Sequence, residues 1–170
     1  MSMRRTALIV AILAVFACGL GSIQAEAAAT SPGQAAAGPP PLGQHCVKVT
    51  SKHNHWPGTI CVFVTRPSGK KPAGEVTFTA HSGTLSVISI KTMRVTMGGA
   101  DVVPPVNNVS RPATGMTSDA ISRSWWDEPK TRVQVSVKNA CMTWKGGDKA
   151  CTGSGWLSSQ PVAATAHAAG

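Results

Sequence analysis

Four cysteines behind an export signal constrain this chain more than any other feature. Cys46, Cys61, Cys141 and Cys151 would be delivered to an oxidising compartment, where paired thiols become disulfides. Such staples let a small chain fold around a modest core, because they restrict the unfolded ensemble. The same cysteines argue against a cytosolic enzyme.

The export signal occupies residues 1–27. Arg4 and Arg5 form its basic start, Ala7 to Ala17 an apolar run, and Ala25-Glu26-Ala27 a small-residue cleavage site. The apolar run is too short to span about 30 Å of hydrocarbon, and no later stretch reaches the ~20 residues a transmembrane helix needs. The expected location is therefore secreted or extracellular. Val15-Phe16-Ala17-Cys18-Gly19 resembles a bacterial lipobox, so a lipid anchor at Cys18 is the alternative N-terminus.

Residues 28–43 are mostly Ala, Pro, Gly and Gln, including Pro39-Pro40-Pro41, and read as a linker. The folded unit is expected over 44–157, with a flexible tail over 158–170. Removing the first 27 of 170 residues takes away two of 16 basic and one of seven acidic residues. The remainder keeps a clear excess of positive charge.

Within 44–157 the apolar signal has period two. Val133, Val135 and Val137 alternate with Gln134, Ser136 and Lys138, and Val76 and Phe78 with Glu75, Thr77 and Thr79. Ile60, Val62 and Val64 share one face of a third strand. From Thr84 to Met97 the apolar phase slips near Ile88 to Lys91, which predicts a bulge or bend. Gly98 to Lys130 is rich in Pro, Gly and Asn, and is either a functional loop or a region with a missed strand; Ser118 to Trp126 is the best strand candidate. The expected fold is all-β: a small antiparallel β-sandwich, immunoglobulin-like or a partly open barrel, stapled by two disulfides.

Cys46 and Cys61 flank the turn-rich stretch Ser51 to Gly58. Cys141 and Cys151 flank Lys145-Gly146-Gly147-Asp148, a hairpin signal. The local pairing, 46 with 61 and 141 with 151, is favoured over the two other connectivities. No Cys-x-x-Cys spacing supports zinc. His53 and His55, with His45 nearby, lack a neighbouring carboxylate and read as turn residues, so no metal or other cofactor is expected.

Catalysis needs a base, nucleophile or paired carboxylates within reach of one another. The acids beyond the signal are Glu75, Asp101, Asp119, Asp127, Glu128 and Asp148, and no spacing among them suggests a pair. The chain reads as non-catalytic, with an unrecognised hydrolase as an alternative that would bring an acid and a His together across loops.

The tryptophans carry the binding hypothesis. Trp56, Trp125 and Trp126 could present rings on which sugars stack, with Arg123 and Lys130 meeting acidic groups; Trp144 and Trp156 bracket the second cysteine pair. The opposing expectation is that these indoles cap a small core. Lys48, Lys91, Arg94 and Lys138 add to a basic surface that would attract acidic envelope polymers. Nucleic acid is disfavoured because the cations are scattered. The expected function is a secreted binding module for a cell-envelope polymer or carbohydrate. A secreted inhibitor or toxin acting on a protein partner is the alternative.

Overall fold

A computed structural model describes residues 41–66, 71–125 and 132–163. The expected export signal, Cys18, most of the expected linker, Trp126, Asp127, Glu128, Lys130 and residues 164–170 lie outside the described residues. The described chain is all-β. In order its strands are β1 (Leu42–Thr50), β2 (Pro57–Thr65), β3 (Ala73–Ala80), β4 (Leu85–Met97), β5 (Ala100–Asp101), β6 (Val106–Pro112), β7 (Ser118–Ser124), β8 (Val133–Lys138), β9 (Cys141–Trp144), β10 (Lys149–Cys151) and β11 (Trp156–Ser158). Among the described residues no helix is long and apolar enough to cross a membrane.

The first sheet runs β1-β2-β3-β7, each pair antiparallel. The second is organised around β4, whose length lets it pair with two strands on each edge. One edge takes β9 and β8 end to end, and the other takes β6 and β5. Outside these, β10 pairs with β9 and β11 with β8. The β4–β5 hairpin turns on Gly98 and Gly99, at φ 58° and 88°. A two-residue turn with positive φ at both positions suits the right-handed twist of its strands, and glycine adopts it without strain.

Period-two alternation sorts side chains into a shared core. The first sheet contributes Ile60, Val62, Val64, Val76, Phe78 and Ile121; the second contributes Ile88, Met93, Val95, Val135, Val137, Met142 and Trp144. Burying each large side chain is worth roughly 1.5–3 kcal/mol. The sheets approach closely over Gly74, where a Cβ would sit 2.8 Å from Val135 Cγ2 and 2.9 Å from Val95 Cγ2. An alanine there would push the two layers apart.

Both disulfides take the expected local pairing. Cys46 faces Cys61 across β1–β2 with Cα atoms 4.0 Å apart, and Cys141 faces Cys151 across β9–β10 at 4.1 Å. Each joins directly opposed residues on an outward-facing row.

The described part of Gly98 to Lys130 contains three strands. β7 coincides with the expected candidate, while β6 has weak alternation, with Asn107, Asn108, Ser110 and Arg111 between its valines. It lies at an edge of the second sheet, where one side of the strand needs no partner and polar residues are tolerated. Ordered pairing also runs past the expected limits of the folded unit, from Leu42 at one end to the Val133–Val162 bridge at the other.

One ion pair ties the two layers together. Asp119 on β7 accepts Arg111 Nη2 at 2.8 Å and Nη1 at 3.0 Å, and also the backbone N–H groups of Thr114 and Ala120, each at 2.7 Å. Burial alone would raise this carboxyl. The Arg111 bonds and the two N–H donors outweigh it and hold the pKa at about 2.

Candidate ligand-binding face

The phase slip anticipated near Ile88 to Lys91 is the origin of the site. Ile88 and Ile90 face the core, and the next core residues are Met93 and Val95, so Lys91 and Thr92 both fall off the buried row. The irregularity extends across three strands. Ile90 pairs with Val109 and Thr92 with Asn107, which sets Lys91 level with Asn108. On the other edge Ser89 pairs with Cys141 and Thr92 with Lys138, which sets it level with Asn139. Asn108 and Asn139 both have φ 51°, a left-handed conformation that asparagine adopts more readily than most residues.

The interrupted ladders leave an outward recess of about 420 Å³. Ser89, Lys91, Asn108, Ser110, Asn139 and Lys149 line it, with Ile90, Val109 and Cys141 beneath. Cys141 Sγ lies 3.7 Å from Asn139 Oδ1; this is packing, since a disulfide sulfur has no proton to donate. The ion pairs among the described residues are Arg94–Asp101 and Arg111–Asp119, so neither Lys91 nor Lys149 has a carboxylate partner there. Two ammonium groups, two amides and two hydroxyls make a donor-rich surface suited to anionic or polyhydroxylated groups.

An aromatic ring stands on the same outer face. Thr92 pairs with Lys138, and Lys138 with Trp156, which puts Trp156 about 10 Å from β4 at the usual strand spacing. Trp156 is 46 % exposed, and Lys138 Nζ lies 6.0 Å from its ring centroid. That is the outer limit of a cation–π contact.

The tryptophans expected to bind ligand are placed differently. Trp125 is 1 % exposed and belongs to the core, so it offers no stacking surface. Its backbone N–H bonds to Pro72 O at 3.1 Å, turning it inward at the end of β7. Trp56 packs on buried Trp144, ring centroids 6.2 Å apart and tilted by 57°. Trp144 in turn donates its indole N–H to Ser82 O at 2.8 Å. Arg123 lies on the inner row of β7, opposite Gly74. Among the described residues Trp56, Trp125 and Arg123 thus do not share one outer face; Trp126 and Lys130 lie outside the described residues. Lys91 and Lys138 were visible as part of a basic surface; Asn108, Asn139 and Lys149 were missed. Only the phase slip in β4 pointed toward them.

Of the described acids, Asp101, Asp119 and Asp148 are engaged by partners elsewhere, and Glu75 lies on the other sheet. Asp148 accepts the backbone N–H groups of Asn54 at 2.8 Å, His53 at 3.3 Å and Lys149 at 3.0 Å, pinning the β1–β2 turn. Burial raises its pKa, but these donors and Ser51 outweigh that and lower it strongly. Glu75 borders a second recess, of about 430 Å³, on the outer face of the first sheet, and burial raises its pKa. Asp119 also borders that recess, and its pKa is shifted in the opposite direction. The pair is not an acid–base couple, however: Glu75 pairs with Ser122 and Phe78 with Asp119, so alternation points the two carboxylates to opposite faces. Among the described residues no group of three or more His, Cys, Asp or Glu is placed to hold a metal ion.

Comparisons with protein-family models, with curated proteins and with solved structures found no match to this chain. The fold and the face define it as a disulfide-stapled, two-sheet β domain with a cationic recess on one outer surface.

Proposed function

We propose that this protein is a secreted, non-catalytic binding module whose ligand is an acidic cell-envelope polymer or acidic carbohydrate. The ligand lies on the outer face of the second sheet. The carrying observation is the recess around Lys91 and Lys149, where two cations without carboxylate partners meet the amides of Asn108 and Asn139. A carboxylate or phosphate of the polymer accepts hydrogen bonds from the lysines. Neighbouring hydroxyls pair with the asparagines and with Ser89 and Ser110, and a sugar ring stacks on Trp156. Two disulfides suit an extracellular setting, in keeping with the N-terminal export signal.

The test is binding of the purified, oxidised chain to an acidic polysaccharide, a neutral polysaccharide and cell-wall material, at low and high salt. Retention on the acidic polymer that disappears in Lys91→Gln/Lys149→Gln supports the reading. Equal binding to acidic and neutral polymers, or binding unchanged in that variant, sinks it. No binding to any polymer would turn attention to the inhibitor or toxin reading, with a protein as partner.

A further inference from the structure

Three buried hydrogen-bond donors near one end of the sandwich have no acceptor among the described residues: Arg66 Nε, Arg123 Nε and Trp125 Nε1. Their placement follows from register. Val64 on β2 faces the core, and Arg66 lies two residues further along the same extended chain. Ile121 is buried on β7, and Arg123 and Trp125 continue its inward row. Trp125 is bonded to Pro72 just before β3, and Arg123 is opposite Gly74 within it. The donors therefore approach from the two strands that flank β3. Those strands are about 10 Å apart, a separation that two arginine side chains can close on one small group.

A buried donor without an acceptor is costly, and native proteins leave few of them. Here two of the three belong to guanidinium groups, which also lack a counter-ion among the described residues. Glu75 projects from the outer face, Asp101 is paired with Arg94, Asp119 with Arg111, and Asp148 is held by backbone N–H groups. None of the described carboxylates neutralises Arg66 or Arg123.

We infer that Arg66, Arg123 and the indole N–H of Trp125 form a second binding site, for an oxyanion of the phosphate or carboxylate class, at this end of the sandwich. A guanidinium presents paired donors that match the oxygens of such an anion, and the buried indole adds a third direction. This site is separate from Lys91 and Lys149 and does not depend on the polymer-binding reading.

Inorganic phosphate is the first probe, with acetate for the carboxylate arm and chloride at matched ionic strength as the control. Binding is read by calorimetry, by melting temperature and by tryptophan fluorescence of the oxidised chain. Phosphate or acetate should raise the melting temperature above the chloride control and alter the fluorescence. Arg66→Lys and Arg123→Lys keep charge and bulk but lose the planar fork, so folding should survive while affinity falls roughly tenfold or more. Lys91→Gln/Lys149→Gln should leave this response intact, which separates it from failure at the outer face. The inference is overturned if neither anion differs from chloride, or if both arginine variants respond like the parent. It is also overturned if phosphate binds only after Asp127→Asn/Glu128→Gln, since the donors would then serve a carboxylate of the chain itself.

Discussion

The two outer faces of the sandwich carry recesses of nearly equal size, about 430 Å³ on the first sheet and 420 Å³ on the second, but their chemistry differs. On the first sheet the β2–β3 register is unbroken from Gly58↔Ala80 to Thr65↔Ala73. Its outer rows place Thr59 opposite Thr79, Cys61 opposite Thr77 and Phe63 opposite Glu75. On the second sheet the ladders on both edges of β4 are interrupted at Lys91, where two left-handed asparagines flank it. The β1–β2 register of the first sheet shifts between Leu42 and His45, and Pro41 and Gln44 border that sheet's recess beside the carboxylate of Glu75. A kink shared by three strands gathers polar groups and leaves cations unneutralised. The candidate site is thus set apart by the two lysines and two asparagines gathered at the phase slip of β4, whereas the first sheet's recess carries carboxylates and no cation.

The largest expected effect tests this contrast directly. Lys91→Glu/Lys149→Glu should weaken binding to an acidic polymer about a hundredfold at low salt, taking roughly tenfold per lost charged hydrogen bond. Lys48→Glu, a charge reversal on the first sheet's outer face, should change it less than about twofold. Comparable losses in both proteins would reduce the difference between the faces to net charge.

The disulfides sharpen the comparison further. Cys46→Ala/Cys61→Ala and Cys141→Ala/Cys151→Ala should each cost about 2–3 kcal/mol in urea denaturation. Because Cys141 underlies the recess, only the second pair should also weaken polymer binding. If both variants lose binding in proportion to stability, the bridge has no local role in shaping the recess.

Acid should loosen the tie between the sheets. The folded pKa of Asp119 is about 2, below its ordinary value near 4. A lowered carboxyl contributes fully above the unfolded value, and its contribution is lost as pH falls through the folded one. Asp148 is shifted in the same direction. Melting temperature should therefore drop progressively below about pH 4, and less steeply in Asp119→Asn. Parallel acid profiles for the two proteins would remove the Arg111–Asp119 pair from the account.

The smallest effect concerns Trp156. Its exposure predicts that Trp156→Ala shifts stability by no more than about 0.5 kcal/mol, while affinity for a sugar polymer falls roughly threefold to tenfold as the stacking surface is lost. Unchanged affinity would confine recognition to the kinked strands.

Much of the fold was legible because its signals are local. Val133, Val135 and Val137, and Ile60, Val62 and Val64, announced strands by alternation, and the phase slip at Ile88 to Lys91 marked the kink itself. Two short cysteine spacings around turns favoured the pairing that the structure has. β6 was obscured because an edge strand can carry Asn107, Asn108 and Ser110 without a continuous apolar row. Whether Trp125 faces the core or the surface stayed open, because its inward orientation depends on the inner row of β7 and on pairing with the distant β3, neither of which is a sequence-local property.

By itself the sequence determined the all-β class, most of the strands and the places where the chain could be stapled, because strand alternation and turn chemistry act within a few residues. Only the tertiary structure decided which tryptophans are buried, which carboxylates are already engaged and which lysines stand without partners. Those outcomes depend on register between distant strands. Lys91 lies level with Asn108 and Asn139 because β4 pairs along both of its edges, and no local pattern around any of the three specifies that alignment.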